Sequence, residues 1–293
     1  MNITQKKLSL IIASLLFFSS LGVKNCSASD LLSQTTEILQ QKILVIQSLI
    51  LNYNLKQNIN ASSYIAVDTS DNSVIIEKNA NIPYSIASVT KLMNATIALE
   101  NIDMDKTITL TDEMLSPLGQ TPCLFSGLKI SAQDLLKATL IQSSNDAAQS
   151  LSYFIGNEKF LELMNQKAKE LGMNDTIYYD VHGLSSSNSS TASDLAKLVS
   201  YINKNYPKIW EITKNDDFWL PDSTASLLKF KNVNNFYPLD NFIGGKTGYT
   251  VEAKQTFASL FSVNGKSVAI VLLHSSNRMA DTFNILRQLK TKI

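Results

Sequence analysis

The most constraining feature of this sequence is the order in which its hydrophobic periodicity changes. Residues 64–67 and 74–76 are apolar runs typical of strands, and the Asp-Asn pair between them predicts a hairpin. Strand-like runs return only late in the chain, at residues 242–249, 256–263 and 267–273. The last two are separated by Asn264-Gly265, a strong signal for a tight turn. This order predicts an α+β fold, in which strands from both ends form one antiparallel sheet with helices on its faces.

Helix signals occupy the middle of the chain. Ser131 and Asp134 have the spacing of a capping box, and Thr191 and Asp194 repeat it, so a helix is expected to begin at each of these places. The predicted helices cover residues 86–99, 131–140, 147–155, 159–171, 191–201 and, after the last strand, 279–289. No break in composition divides residues 60–293, which are therefore predicted to form a single domain.

The first thirty residues have the features of an export signal. Lys6 and Lys7 precede an apolar run at 8–23, and small residues follow at 26–28. That run is shorter than the stretch of about 20 apolar residues that spans a membrane comfortably. Residues 1–28 are predicted to be a cleaved signal peptide, with an uncleaved anchor as the alternative. Either way, the protein is expected to be exported, to the periplasm or the outer face of the cytoplasmic membrane.

A separate amphipathic helix is predicted over residues 30–57, upstream of the domain. Its apolar stripe has the four-three rhythm of a coiled-coil seam and consists of Leu32, Leu39, Ile43, Ile46, Ile50 and Tyr53. The helix could fold back on its own domain, associate with a second copy, or contact a membrane surface beside an uncleaved anchor. Only Lys42 and Lys56 add basic charge, which is little for membrane binding.

Charge and composition exclude several classes of function. The formal net charge of the 293-residue chain is +1, and no basic cluster with interleaved aromatic residues suggests a nucleic-acid partner. The two cysteines and two histidines are not spaced as metal ligands, so neither a metal nor a cofactor is expected. Loss of residues 1–28 would remove Cys26 and leave Cys123 unable to form an intrachain disulfide. Cys123 is therefore expected to be a small buried apolar residue.

The first candidate for chemistry is Ser88-Val89-Thr90-Lys91, at the start of the predicted helix 86–99. A serine and a lysine three residues apart lie on one helix face, one turn from each other. A buried lysine loses its charge more readily and can then accept the serine proton. The spacing alone is common: Ser226 and Lys229 share it, in what is expected to be a surface helix turn.

Two further elements accompany this pair. Ser143-Ser144-Asn145 follows the capped helix, and Lys246-Thr247-Gly248 lies in the glycine-rich strand predicted at 242–249. Glycines in a strand often permit the close approach of a ligand or another backbone. The lysine and threonine there would suit a substrate carboxylate.

The order Ser-x-x-Lys, Ser-x-Asn, Lys-Thr-Gly is the signature of penicillin-binding proteins and serine β-lactamases. With its surroundings, the sequence resembles the D-alanyl-D-alanine carboxypeptidase family of low-mass penicillin-binding proteins, from about residue 64 to 289. The resemblance includes Lys169-Glu170-Leu171-Gly172-Met173, His182-Gly183-Leu184 and Ser190-Thr191-Ala192. It implies a β-lactamase/transpeptidase-like α+β domain with a five-stranded antiparallel sheet flanked by helices over residues 60–293. It also implies that peptidoglycan peptides ending in D-Ala-D-Ala are substrates and that β-lactam antibiotics are inhibitors.

The resemblance assigns catalytic roles to four side chains. Ser88 would attack the peptide carbonyl and form the acyl-enzyme, with Lys91 as its base. Ser143 would relay a proton towards the leaving D-alanine, while Asn145 would hold the substrate amide and Lys91. The activity implied is a serine-type D-Ala-D-Ala carboxypeptidase.

The same resemblance assigns substrate binding to residues 246–249. Lys246 and Thr247 would bind the terminal carboxylate. Gly248 and Tyr249 continue this substrate-binding strand, and the backbone amides of Ser88 and Tyr249 would form the oxyanion hole. His182 could suggest a Ser-His-Asp catalytic triad, but the sequence has no Gly-x-Ser-x-Gly elbow. His182 is therefore expected to be a structural turn residue. His274 is expected to pack in the core or at its rim.

Three alternatives remain open at this point. The main one is a D,D-endopeptidase of peptidoglycan cross-links, because no motif states which bond is cut. A serine β-lactamase shares the three motifs, but no Glu-x-x-Leu-Asn element lies between Asn145 and Lys246. A scaffold protein that had lost its activity is the third alternative, but it would tend to lose the catalytic side chains of the three motifs, which this chain retains. Two departures from the family pattern, Ser144 and Lys254 where glycine is usual, are expected to affect substrate fit and not the catalytic groups.

Overall fold

The computed structural model describes residues 36, 38–43, 58–117, 119, 124–221 and 227–293. The chain divides into two units, Met1–Asn54 and Leu55–Ile293. In the first unit, the described residues 36 and 38–43 are helical and exposed. The predicted signal peptide and most of the predicted helix 30–57 lie outside the described residues. Among those that are described, no helix is both long and apolar enough to cross a membrane.

The second unit is built on an antiparallel sheet of five strands in the order β2-β1-β11-β10-β9. Three two-stranded ladders, β3-β6, β4-β5 and β7-β8, lie outside this sheet. The strands are β1 Ser63–Asp68, β2 Val74–Lys78, β3 Tyr84–Ser85, β4 Thr107–Thr109, β5 Lys129–Ser131, β6 Ser189–Ser190, β7 Asp217–Pro221, β8 Leu227–Lys231, β9 Phe242–Thr250, β10 Lys254–Val263 and β11 Lys266–Ser275. The predicted fold class is therefore confirmed.

The sheet joins the two ends of the chain, as the order of the strand signals predicted. β1 pairs with β11, and Ile65 lies opposite Val271. β10 and β11 form a hairpin whose turn residues, Asn264 and Gly265, have φ values of 50° and 83°. Positive φ at both positions is what a two-residue type I′ turn requires. β9 is left as an edge strand facing the helical part of the domain.

Seven α-helices surround the sheet in the described part of this unit. They are α1 Thr90–Asn101, α2 Ala132–Ile141, α3 Asn145–Ser152, α4 Asn157–Glu170, α5 Ala192–Asn205, α6 Lys208–Lys214 and α7 Arg278–Leu289. The caps predicted at Ser131 and Thr191 are present, because each side chain accepts a hydrogen bond from the amide three residues later.

Both faces of the sheet are buried, which fixes the order of the layers. On β11, Ala269 and Val271 face the core shared with α1 to α6, whereas Ile270 and Leu272 face a second core with α7. The alternation of a strand places successive side chains on opposite faces. The sheet is therefore the middle of three layers, and its edge strand β9 meets α6 and the segment before α1.

Two sequence predictions need correction. The predicted helix 86–99 begins instead with the 3-10 turn Ala87–Val89, which precedes α1. The Ser-x-x-Lys copy at 226–229 is not a helix turn, since residues 227–229 belong to β8, which pairs with β7. This hairpin and the short helix α6 were missed, because each is held by tertiary burial of Phe230 or Trp210 and not by a strong local signal.

Candidate active site

The serine of the first motif lies in a tightly packed turn. Ala87, just before Ser88, has a φ of 48°, an uncommon conformation for a residue with a side chain. A Cβ added at Gly183 would lie 2.1 Å from the Ala87 carbonyl oxygen, and one added at Gly248 would lie 2.9 Å from the Ser88 amide nitrogen. Two glycines therefore allow a loop and the edge strand to approach the serine from either side.

Lys91 contacts three groups that come from separate parts of the chain. Its Nζ donates to Ser88 Oγ at 3.0 Å, to Asn145 Oδ1 at 2.7 Å and to the His182 carbonyl oxygen at 2.5 Å. The side chain has no exposed surface. Its position at the start of α1 follows from the spacing of the motif, which turns Ser88 and Lys91 towards the same side.

The environment of Lys91 favours its neutral form. Burial lowers the pKa of the amine to about 7, although the negative charge of Asp180 acts in the opposite direction. Burial therefore makes the neutral amine much more accessible at neutral pH than in an exposed lysine. Removal of its proton would let it accept the hydroxyl proton of Ser88, which lies within hydrogen-bond reach.

The second motif forms the turn between α2 and α3. Ser143 has a φ of 62°, and Ser144 caps α3 by accepting a hydrogen bond from the Ala147 amide at 3.0 Å. Asn145 begins α3, where its amide oxygen reaches Lys91. A serine in place of the usual glycine at 144 therefore has a structural role in this chain, since serine is a strong N-cap.

The third motif lies on the edge strand β9. Lys246 Nζ donates to Ser143 Oγ at 2.8 Å and to the Thr247 carbonyl oxygen at 2.9 Å. Burial, with the positive charges of Lys91 and Arg278, lowers the pKa of Lys246 well below its usual value. An arriving anion would favour the charged form of this amine. Thr247 is largely buried, whereas Tyr249 is 64% exposed at the outer end of the strand.

The structure brings together most of the site residues predicted from the sequence, and Thr247 and Tyr249 adjoin Gly248 on β9. Ser88, Lys91 and Asn145 are linked by hydrogen bonds, and Lys246 is linked to Ser143. The Ser88-Lys91-Asn145 group lies next to the Ser143-Lys246 pair, because Ser143 and Asn145 belong to one turn. In addition, Gly248 on β9 packs against the Ser88 amide.

Sequence reasoning missed Arg278, at the start of α7. Its guanidinium donates to the Gly248 carbonyl oxygen at 2.6 Å and to that of Thr256 at 3.1 Å, which fixes the strand beside Ser88. Burial lowers the pKa of Arg278 to about 10. An arginine after the last strand gives no sequence signal of this contact, which depends on how α7 is placed.

The imidazole rings of the two histidines are assigned structural roles. His182 lies in a turn ahead of Gly183, as predicted, and its contribution to the site is its main-chain carbonyl. His274 is half-buried, hydrogen-bonded through Nδ1 to Ser62 Oγ at 2.9 Å and stacked on Tyr84, in agreement with packing at the core rim. Cys123 lies outside the described residues.

The geometry supplies the parts of an acyl-transfer reaction. A serine hydroxyl adjoins an amine with a pKa near neutrality, a second hydroxyl adjoins a second buried amine, and a threonine accompanies that amine on an edge strand. A nucleophile, a base, a proton relay and a carboxylate site can be built from these groups.

Comparison with known proteins decides the family. A family model described as D-alanyl-D-alanine carboxypeptidase matches residues 52–277. The chain belongs to this family. Membership confirms the predicted enzyme class, a serine-type D-Ala-D-Ala peptidase and hence a hydrolase.

Individual members of the D-alanyl-D-alanine carboxypeptidase family agree with this assignment. A D-alanyl-D-alanine endopeptidase of Escherichia coli K12 is 34% identical over 225 residues, covering 73% of this chain and 71% of the relative. The D-alanyl-D-alanine carboxypeptidase DacF of Bacillus subtilis is 31% identical over 223 residues, or 72% and 57% of the two chains. A solved D-alanyl-D-alanine carboxypeptidase from Mycobacterium tuberculosis H37Rv has a TM-score of 0.75 at 25% identity, covering 80% of this chain and 92% of that one.

Proposed function

We propose that this protein removes the terminal D-alanine from peptidoglycan stem peptides that end in D-Ala-D-Ala, through an acyl-enzyme on Ser88. The observation that carries the proposal is the buried Lys91 amine, held between Ser88 Oγ and Asn145 Oδ1 with a pKa of about 7. A serine nucleophile is activated by a base within hydrogen-bond reach, and the Lys91 amine is in that position.

The first half-reaction forms the acyl-enzyme. Ser88 Oγ attacks the carbonyl carbon between the two D-alanines, and its proton passes to Lys91. The developing oxyanion accepts hydrogen bonds from the amides of Ser88 and Tyr249. The C–N bond then breaks as the proton held by Lys91 passes through Ser143 to the amine of the leaving D-alanine, which returns Lys91 to its neutral form. Ser143 Oγ also accepts a hydrogen bond from Lys246 Nζ at 2.8 Å.

The second half-reaction restores the enzyme. Water attacks the ester carbonyl on Ser88 and gives up one proton to the Lys91 amine, which returns a proton to Ser88 Oγ as the ester bond breaks. The products are D-alanine and a peptide shortened by one residue. β-Lactams are expected to acylate Ser88 by the first half-reaction and to leave slowly in the second.

Recognition of the peptide end is assigned to the edge strand. The terminal carboxylate binds Lys246 and the Thr247 hydroxyl, because a charge-assisted hydrogen bond to a buried cation is strong and directional. Gly248 lets β9 pack closely against the serine turn, since a Cβ there would lie 2.4 Å from Thr256 Oγ1 and 2.9 Å from the Ser88 amide nitrogen.

A D,D-endopeptidase is the second candidate function. The specific observation in its favour is the 34% identity with the Escherichia coli endopeptidase, and a Pseudomonas aeruginosa protein of the same name is 32% identical over 253 residues. An endopeptidase would use the same Ser88 chemistry on a D-alanyl bond whose leaving residue is attached through its side chain.

Digestion of two substrates separates these functions. Pentapeptide monomers and cross-linked dimers are incubated with the wild type and with Ser88→Ala, and the products are resolved by mass. Loss of one D-alanine from monomers identifies the carboxypeptidase, and conversion of dimers to monomers identifies the endopeptidase. If neither substrate is cut, or if Ser88→Ala cuts as well as the wild type, the proposed function is wrong.

Export and the N-terminal segment complete the proposal. Residues 1–28 direct export, so that the enzyme meets peptidoglycan outside the cytoplasm, consistent with the sequence pattern there. Residues 30–57 form an amphipathic helix that buries its apolar stripe on the domain, on a second copy or on a membrane surface. An isolated helix of this length is marginal in water and needs such a surface.

A further inference from the structure

The loop that contributes the His182 carbonyl is organised around one carboxylate. Asp180 Oδ1 accepts hydrogen bonds from the His182 amide at 3.0 Å and the Gly183 amide at 2.5 Å. Its Oδ2 accepts from the Ser185 amide at 2.5 Å. Three backbone donors of one turn thus converge on a single side chain, which fixes the direction of the peptide groups between them.

A buried asparagine fastens this loop to the first turn of α1. Asn188 accepts hydrogen bonds through Oδ1 from the Tyr179 amide at 2.7 Å and the Asp180 amide at 3.1 Å. Its Nδ2 donates to Asp180 Oδ1 at 3.0 Å and to Thr90 Oγ1 at 3.1 Å. Because Thr90 precedes Lys91 directly, the carboxylate is connected to the catalytic helix by one rigid side chain.

The loop also lies directly against the serine turn. Gly183 has a φ of 92°, and its Cα packs so closely on the Ala87 carbonyl that a Cβ would be only 2.1 Å away. The preceding residue turns its carbonyl oxygen to Lys91 Nζ, 2.5 Å away. A shift of this loop would therefore move an acceptor of Lys91.

We propose that Asp180 is a positioning residue of acylation, which holds the His182 carbonyl on Lys91 and places a negative charge behind the amine. The inference rests on the proposed roles of Ser88 and Lys91 and deepens them. Asp180 touches no reacting atom and acts through the loop and through its charge.

The charge of Asp180 opposes the effect of burial on Lys91. Burial lowers the pKa of the amine and Asp180 raises it, so the carboxylate keeps the amine a stronger base than burial alone would leave. Among the described residues, the titratable groups near this pair include the His182 imidazole, with Nδ1 3.3 Å from Asp180 Oδ1, and the Lys246 amine, which interacts electrostatically with Lys91. The His182 pKa is lowered by burial, so this ring stays neutral near pH 7.

The test is the pH dependence of acylation by a fluorescent penicillin, measured from about pH 5 to 9. The variants are Asp180→Asn and Asp180→Ser, which keep a hydrogen-bond acceptor but remove the charge. Asp194→Asn is the matched control, since Asp194 is a buried carboxylate that accepts from the Asp175 amide at 2.9 Å and does not contact Lys91. Without the charge, the pKa of Lys91 should fall. The decrease in acylation rate on the acid side of the pH profile, here called the acid limb, should then move to lower pH by about one unit.

Two uncharged variants are used so that the role of Asp180 can be tested even if one of them fails to fold. A folded variant whose acid limb coincides with that of the wild type and of Asp194→Asn overturns the inference, whatever its maximal rate. A merely structural aspartate would lower the rate or the melting temperature and leave the limb in place. Failure of the proposed function would look different, because the label would then be absent from Ser88 in the wild type.

Discussion

At the scale of single residues, the site depends on two completely buried lysines with different neighbours. Lys91 lies among oxygen acceptors and near Asp180, whereas Lys246 lies near the positive charges of Lys91 and Arg278. Desolvation disfavours the ammonium form of both. The environment therefore suits Lys91 to proton transfer and Lys246 to pairing with an incoming anion.

The base role of Lys91 predicts a pH dependence. The amine must be neutral to accept the Ser88 proton, so the rate of penicillin acylation should fall about tenfold per pH unit below its pKa of about 7. Lys91→Ala should acylate at least about 10²-fold more slowly and lose this limb. Stopped-flow labelling measures both. The surface variant Lys159→Ala serves as the control, and a limb retained in Lys91→Ala would exclude Lys91 as the titrating group.

Carboxylate recognition is tested by changing the substrate and the enzyme together. Amidation of the C-terminal D-alanine removes the negative charge, which should reduce kcat/KM far more in the wild type than in Thr247→Ala. The reason is that the variant has already lost one partner of the carboxylate. Thr109→Ala, an exposed threonine on β4, should behave as the wild type. Equal losses in the wild type and Thr247→Ala would show that Thr247 does not read the carboxylate.

At the scale of elements, the two departures from the family pattern have local explanations. Ser144 caps α3, and Lys254 begins β10 with a φ of 51°, in the conformation that glycine adopts without strain. The first departure stabilises a helix, and the second places an exposed side chain at a strained position between two strands of the site. With both residues in place, Ser88, Lys91 and Asn145 are linked by hydrogen bonds.

The strain at Lys254 predicts a stabilising substitution. A residue with a side chain loses about 1–2 kcal/mol of stability in the left-handed conformation, and glycine avoids this cost. Glycine also makes the unfolded chain more flexible, which offsets part of the stabilisation. Lys254→Gly should therefore raise the free energy of unfolding by about 0.5–1 kcal/mol, measured by urea denaturation. Asn264→Gly, at a φ of 50°, should gain less because asparagine tolerates this conformation. Destabilisation of Lys254→Gly would mean that its side chain makes a favourable contact.

Several elements could be predicted from the sequence because their signals are local. The caps at Ser131 and Thr191, and the tight turn at Asn264, depend on residues a few positions apart. Each of the three motifs is likewise a short local pattern, and the structure brings the three together. By contrast, α6 and the β7-β8 hairpin are stabilised by burial against distant segments, and the contact of Arg278 with Gly248 joins residues thirty positions apart. No local pattern encodes such contacts.

At the scale of the whole molecule, the segment before the catalytic unit is open to a simple test. Deletion of residues 30–57 should leave penicillin acylation within about threefold of the full-length rate, since the described site lies wholly within Leu55–Ile293. The truncated form should differ in oligomeric mass or in melting temperature, because the apolar stripe needs a partner surface. Light scattering and thermal melting measure the two properties. If both are unchanged, the stripe packs on neither a second copy nor its own domain.

In the proposed reaction, Ser88 carries the acyl group. Wild-type protein is incubated with penicillin, digested, and the adduct located by mass spectrometry, in parallel with Ser88→Ala and Ser226→Ala. Ser226 has the same spacing to a lysine, but its partner Lys229 is bound to Asp217 on the β7-β8 hairpin. The adduct should be on Ser88 in the wild type and in Ser226→Ala, and absent in Ser88→Ala. An adduct on any other serine, or labelling that survives Ser88→Ala, would show that Ser88 is not the nucleophile.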